Sequence, residues 1–209
     1  MFSDPSVNAV PLSMKSMDHT MDHKQAASAI AAWARAGQGE PLPAWDDLPA
    51  IPLYMDQVIL YLTESLRLFQ PEGEPSLLTS SMINNYVKNG LIPHPEKKKY
   101  RKEHLAGLIV LCLLKQVLPI PDVKALFSGR EMDAAAYQLF RQAHNAALQE
   151  TCRALENTCR QEEDLQQAAL LLAVEAAARR SAAQRVLREL EEVPGGKKSK
   201  AKPQPGEKP

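Results

Sequence analysis

The chain has 209 residues, 44% of them apolar, with 25 Lys and Arg against 25 Asp and Glu, so its formal net charge is +0. That size and apolar content suit one ordinary core or two small ones, and the balanced charge gives no whole-molecule bias toward nucleic acid. Three cysteines, Cys112, Cys152 and Cys159, form neither a disulfide framework nor a metal motif, which argues for a reducing compartment.

Residues 1–22 are rich in Ser, Met, Asp and Pro without periodicity, and are expected to be disordered. Nothing there resembles a signal peptide, and the most apolar run, 105–114, is too short to span a bilayer, so a cytoplasmic protein without membrane contact is expected. Asp18, His19, Asp22 and His23 place two imidazoles one helical turn apart, but no third ligand is near, and a solvated tail is the simpler reading. An Ala-rich helix is expected over 24–36, stopped by Gly37 and Gly39. Four prolines then mark 40–52 as an extended linker, with Trp45 packing on the adjoining domain. These first 50 residues read as a tail with one short helix, ahead of a domain over 51–131.

Val58, Leu62, Leu66 and Phe69 keep helical spacing over 53–69. After a loop, Thr79 offers a capping oxygen and Gly90 a left-handed stop, bounding a second helix with Met82, Ile83, Tyr86 and Val87 on one face. Pro93 and Pro95 exclude helix from the next segment, which carries Lys97, Lys98 and Lys99 and suits a short two-stranded wing. From 79 to 105 six basic residues face two acidic ones, a local net of +4. Lys102 or Glu103 then opens a helix burying Leu105, Leu108, Ile109, Val110, Cys112, Leu113 and Val117, too wide an apolar surface for a wet side. Pro121 sits well in the first turn of a further helix, in which Val123, Leu126 and Phe127 cover the core.

Residues 133–193 lack Pro and Gly and are built of strong helix formers. Two apolar series fall out of register near 161–164, where acidic residues suit a new N-terminus, so two antiparallel helices are expected over one rod. Cys152 and Cys159 share a face, which fits core packing or a thiol sensor. A basic, disordered tail, 194–209, closes the chain.

The phrases TSSMINNYVKNGLIPHPEKKKYRKEHL and LKQVLPIPDVKALF carry a resemblance. Their order of helix, Gly-Leu-Ile, wing ending in Tyr100, and long apolar helix resembles the winged helix-turn-helix domain of MerR-family bacterial regulators. They look closer still to domain-of-unknown-function family 1836, thought to be MerR-like. The likeness spans roughly 52–127. It implies an all-α winged helix-turn-helix with a small β wing, followed by a C-terminal helical hairpin or coiled coil, and it implies binding of double-stranded DNA. Three departures stand out. The family's Arg-Tyr-Tyr run is replaced by Asn84, Asn85 and Tyr86, its wing arginine by Lys98, and residues 70–77 lengthen the turn.

On that reading Thr79, Ser80 and Ser81 meet phosphate, Asn84 or Asn85 presents an amide to adenine, and Lys88 holds backbone. Lys97, Lys98, Lys99 and Arg101 meet phosphates from the wing, and Tyr86 and Tyr100 either reach phosphate or pack the core. The whole is expected to be a homodimeric transcriptional regulator joined through 132–193, with no cofactor. No nucleophile with a base, no carboxylate pair and no phosphate-cradling loop suggests an enzyme. A helical protein-interaction module and a small-molecule sensor remain open as alternatives.

Overall fold

The computed structural model describes residues 12–39, 42–70, 73, 76–127, 132–161 and 164–192, with side chains described from 23 onward except 191. Seven α-helices occupy them: α1 (Leu12–Gly37), α2 (Met55–Ser65), α3 (Ser80–Lys88), α4 (Lys102–Leu114), α5 (Ile120–Leu126), α6 (Ala134–Arg160) and α7 (Leu165–Glu192), with a 3-10 turn at Arg67–Phe69 after α2.

The fold is organised around α4. Every residue from His104 to Leu113 is buried, because α4 is apolar around its whole circumference and neighbours enclose it. It touches α2 and α6, while Cys112 and Lys115 reach the Leu77 carbonyl ahead of α3. Truncating a side chain such as Leu108 or Ile109, both 0% exposed, to Ala costs about 2–5 kcal/mol. Val117, expected inside, is 48% exposed, since the helix ends at Leu114 and the following turn swings it outward.

The proline-rich segment is part of the body. Leu42 and Leu48 are core residues at 1% exposure, and Trp45 packs against the core and the Tyr137 ring. The prolines leave carbonyls without ladder partners, and side chains of α6 and α4 satisfy them. The Tyr137 hydroxyl donates to the Pro43 carbonyl at 2.9 Å, Arg141 Nε to Leu42 at 3.0 Å, and Lys102 Nζ to Trp45 at 3.1 Å.

Helix α1 begins at Leu12, earlier than position 24, the chain being free of Pro and Gly from there to Ala36. It packs along α6, with Ala34 buried, Trp33 Nε1 donating to the Leu68 carbonyl at 3.1 Å and Gln38 Nε2 to Glu156 at 2.8 Å. Asp133 caps α6 through the Ala136 N–H, and Asp164 caps α7 through the N–H groups of Gln166 and Gln167. Helix α6 ends at Arg160 and α7 starts at Leu165, on either side of the point where the apolar register of the sequence shifts. Helix α7 rejoins the core through Leu187, and Gln184 Nε2 donates to Asp122 of α5 at 2.9 Å. Its Leu170, Leu171, Val174, Val186 and Leu190 stay exposed. Among the described residues no helix is long and apolar enough to cross a membrane. There is also no strand among them, so the expected β wing is reduced to two isolated bridges, Leu53 with Tyr100 and Glu96 with Lys99.

Candidate nucleic-acid interface

Thr79 Oγ1 accepts the Met82 N–H at 3.2 Å, which starts α3, and Gly90 at φ 66° ends it. Ile83, Tyr86 and Val87 face the core, leaving Ser80, Ser81, Asn84, Asn85 and Lys88 exposed to solvent. The two asparagines differ. Asn85 Oδ1 accepts from Asn89 Nδ2 at 2.9 Å, whereas Asn84 lines an open groove.

The segment after α3 is held at its base by paired backbone bonds between Leu53 and Tyr100, each 2.8 Å. Its tip is a tight turn in which the Lys99 N–H donates to the Glu96 carbonyl at 2.9 Å, with Lys97 at φ 49° and Lys98 at φ 63°. Positive φ at both central positions is the signature of a type I′ turn, which ordinarily selects Asn and Gly. A side chain with a Cβ pays roughly 1–2 kcal/mol at each such position. Strain of this kind persists where surrounding structure enforces it, and it concentrates at functional sites.

The cations of this segment divide into two groups. Lys97 and Lys98 stand exposed at the tip. Lys99 Nζ lies 5.2 Å from the Tyr54 ring centroid and Arg101 pairs with Glu96, so both are already engaged. Two residues placed in the candidate set leave it: Tyr86 is 6% and Tyr100 3% exposed, each part of the core. Burial raises the pKa of both phenols, so they stay neutral, and Tyr100 stacks edge-on against His104 at 5.6 Å.

The groove, about 550 Å³, runs between α3 and the turn, and Asn84, Lys88, His94, Lys98 and the buried edge of Tyr100 line it. It brings together three residues expected from the sequence, Asn84, Lys88 and Lys98, from either side of Gly90. His94 was not foreseen, nor was Lys124, whose Nζ donates to the Asn89 carbonyl at 2.7 Å and sets a positive charge beside the end of α3. Lys124 comes from α5, and only the tertiary fold brings it there.

Among the described residues no group of three His, Cys, Asp or Glu could hold a metal, and the side chains of Asp18, His19 and Asp22 lie outside them. Burial pushes the Cys112 thiol up to about 11 and also raises that of Cys152, which leaves both as thiols at neutral pH.

No curated protein and no solved structure matches the chain. Residues 43–146, which hold the buried proline segment, α2 to α5 and the Tyr137 turn of α6, match the family model described as Domain of unknown function (DUF1836).

Proposed function

We propose that the protein binds double-stranded DNA in a sequence-specific manner, as a cytoplasmic MerR-like regulator of transcription. The observation that carries this reading is the shared groove, in which an exposed amide and ammonium of α3, Asn84 and Lys88, face the ammonium of Lys98 across open space. In this reading α3 is the recognition helix and lies in the major groove, with Asn84 on an adenine edge, Ser80 and Ser81 on phosphate, and Lys88 on the backbone. Lys97 and Lys98 follow the neighbouring phosphates as a wing. Their left-handed backbone supports this, because a turn selected for stability alone would carry Asn-Gly.

Nine helical residues read too few bases to specify a genomic site, so two copies act together. The exposed apolar residues of α7 supply the surface for that pairing.

The test begins with selection of bound duplexes from a random pool, followed by titration of the recovered sequence at several salt concentrations. Wild type should select a palindrome. Lys97→Ala with Lys98→Ala should bind more weakly, with a log–log salt slope shallower by about 0.9 for each phosphate no longer neutralised. Equal affinity and equal slope in the two proteins remove the turn from the interface, and failure to enrich any sequence removes the function.

A further inference from the structure

A second cavity lies behind the proposed reading edge. It measures about 760 Å³, is partly open to solvent, and is lined by the end of α3, the segment carrying the turn, and helices α4 and α5. Its walls are largely apolar, formed by Ile92, Val110, Leu111, Val123 and Phe127. That volume falls within the range of small-molecule sites, which combine apolar walls with a few placed polar groups.

One such group is His104, which lines the cavity and is only 7% exposed. Its Nδ1 accepts the Arg101 N–H at 3.0 Å, as the third residue of a capping box must, so the ring proton resides on Nε2. Burial favours the neutral ring and outweighs the His94 backbone and Glu103, which act the other way. No acceptor among the described residues meets the Nε2–H within ordinary hydrogen-bond distance and angle, the His94 backbone lying nearby without satisfying them. A buried donor left in that state carries a desolvation cost, which a ligand acceptor would recover.

The charges around the cavity define the other end of an occupant. Glu96 is paired with Arg101, and Asp133 caps α6. Lys88 and Lys124 carry exposed ammonium groups on the α3 and α5 sides, Lys124 with one N–H given to the Asn89 carbonyl and the others open, and Glu103 is the acid of the lining outside those contacts. A carboxylate is favoured there.

We propose that this cavity is an effector site for a small amphipathic organic acid. Its apolar body rests on Val110, Val123 and Phe127, a carbonyl or ether oxygen accepts the His104 Nε2–H, and its carboxylate lies beside Lys88 and Lys124. The regulatory half of the proposal rests on the DNA reading above. Lys88 lines both the cavity and the groove, so a bound acid competes with phosphate for the same ammonium and weakens DNA binding. By linkage, DNA weakens the acid to the same degree.

The probe is 4-oxo-4-phenylbutyrate, which carries a ring, a ketone and a carboxylate. Two controls each lack one feature: 4-phenylbutyrate has no ketone, and the methyl ester has no charge. Calorimetry on the full chain without DNA should show saturable binding of the probe in the millimolar range or tighter, with each control about tenfold weaker. Lys88→Ala, a surface change that leaves the core intact, should erase the preference for the free acid over the ester. In wild type the imidazole ¹⁵N resonance of His104 Nε2 should shift on adding the ketone and stay put with 4-phenylbutyrate.

Absence of saturable binding, equal binding of all three compounds, or an unmoved His104 resonance overturns the site, the last because it means that the His94 carbonyl already serves the donor. The probe should also release a selected duplex from wild type and not from Lys88→Ala. Binding of the probe without any effect on a bound duplex overturns the regulatory half alone. Failure to bind any duplex overturns the DNA reading and leaves the cavity result standing.

Discussion

Gly37, the last residue of α1, lies so close to Cys152 of α6 that a β-carbon built on it would stand 2.6 Å from the Cys152 Sγ. A hydrogen is all that fits there, and the approach lets the end of α1 lie flat on α6. Gly37→Ala should therefore destabilise the fold by about 1–3 kcal/mol, as overpacking does. Adding Cys152→Ala should return part of that loss. Denaturant titration of the two single variants and the double variant closes a thermodynamic cycle, and additive losses would mean that the two residues do not press on each other.

For the left-handed pair at the tip of the turn, stability and binding should move in opposite directions. Lys97→Asn with Lys98→Gly replaces two strained residues with the pair that a type I′ turn prefers. Unfolding free energy should rise by about 1–2 kcal/mol, while affinity for a selected duplex falls. A gain in both quantities would show that the lysines are there for neither purpose.

The asparagines should separate in a base-preference assay. Asn84→Ala should flatten the preference at one position of the selected site, a loss of about 1–3 kcal/mol against the wrong base. Asn85→Ala should matter less, because its carbonyl oxygen already accepts from Asn89. Competition between duplexes differing at a single base reads this directly.

Burial lowers the pKa of both His104 and His144. For a histidine kept neutral by folding, the unfolded chain binds protons first as pH falls, so stability is full above the ordinary value near 6.5 and declines below it. Melting temperature should hold from pH 8 to about 7 and drop toward pH 5.5. His104→Gln keeps an acceptor for the Arg101 N–H and removes one titrating ring, so its decline should be shallower.

The uncovered side of α7 makes a prediction about assembly. Leu171→Glu with Val174→Glu changes two exposed side chains, so the fold should survive. Wild type should sediment as a dimer and the variant as a monomer with much weaker affinity for a palindromic duplex. A monomeric wild type that captures a stoichiometric partner protein, and retains no DNA at low salt, would instead favour an interaction module.

The parts of this architecture that sequence made legible are those set by neighbouring residues. Thr79 and Gly90 bound α3 because a cap oxygen and a left-handed glycine act within one turn, and Asp164 marks the start of α7 in the same way. The all-apolar run of α4 could only be central. Other features depended on packing that spacing does not encode. Tyr86 and Tyr100 carry hydroxyls at positions where either solvent or core was open to them, and α2 and α4 decided for the core. The buried Leu42 and Leu48 were hidden by prolines, which signal an extended backbone without saying where it lies. Nothing local announces left-handed lysines, since the type I′ tip ordinarily shows Asn-Gly. Lys124 reaches the end of α3 from α5, a helix remote in sequence, and His94 enters the groove from the segment between Gly90 and the turn.

Two hydrogen bonds leave α5 in different directions only two residues apart. Asp122 accepts from Gln184 of α7, and Lys124 donates to the Asn89 carbonyl that closes α3. Helix α5 thus ties the last helix to the end of α3. Less than two turns of peptide therefore separate the contact made to α7 from the one made to the end of the helix that carries Asn84 and Lys88.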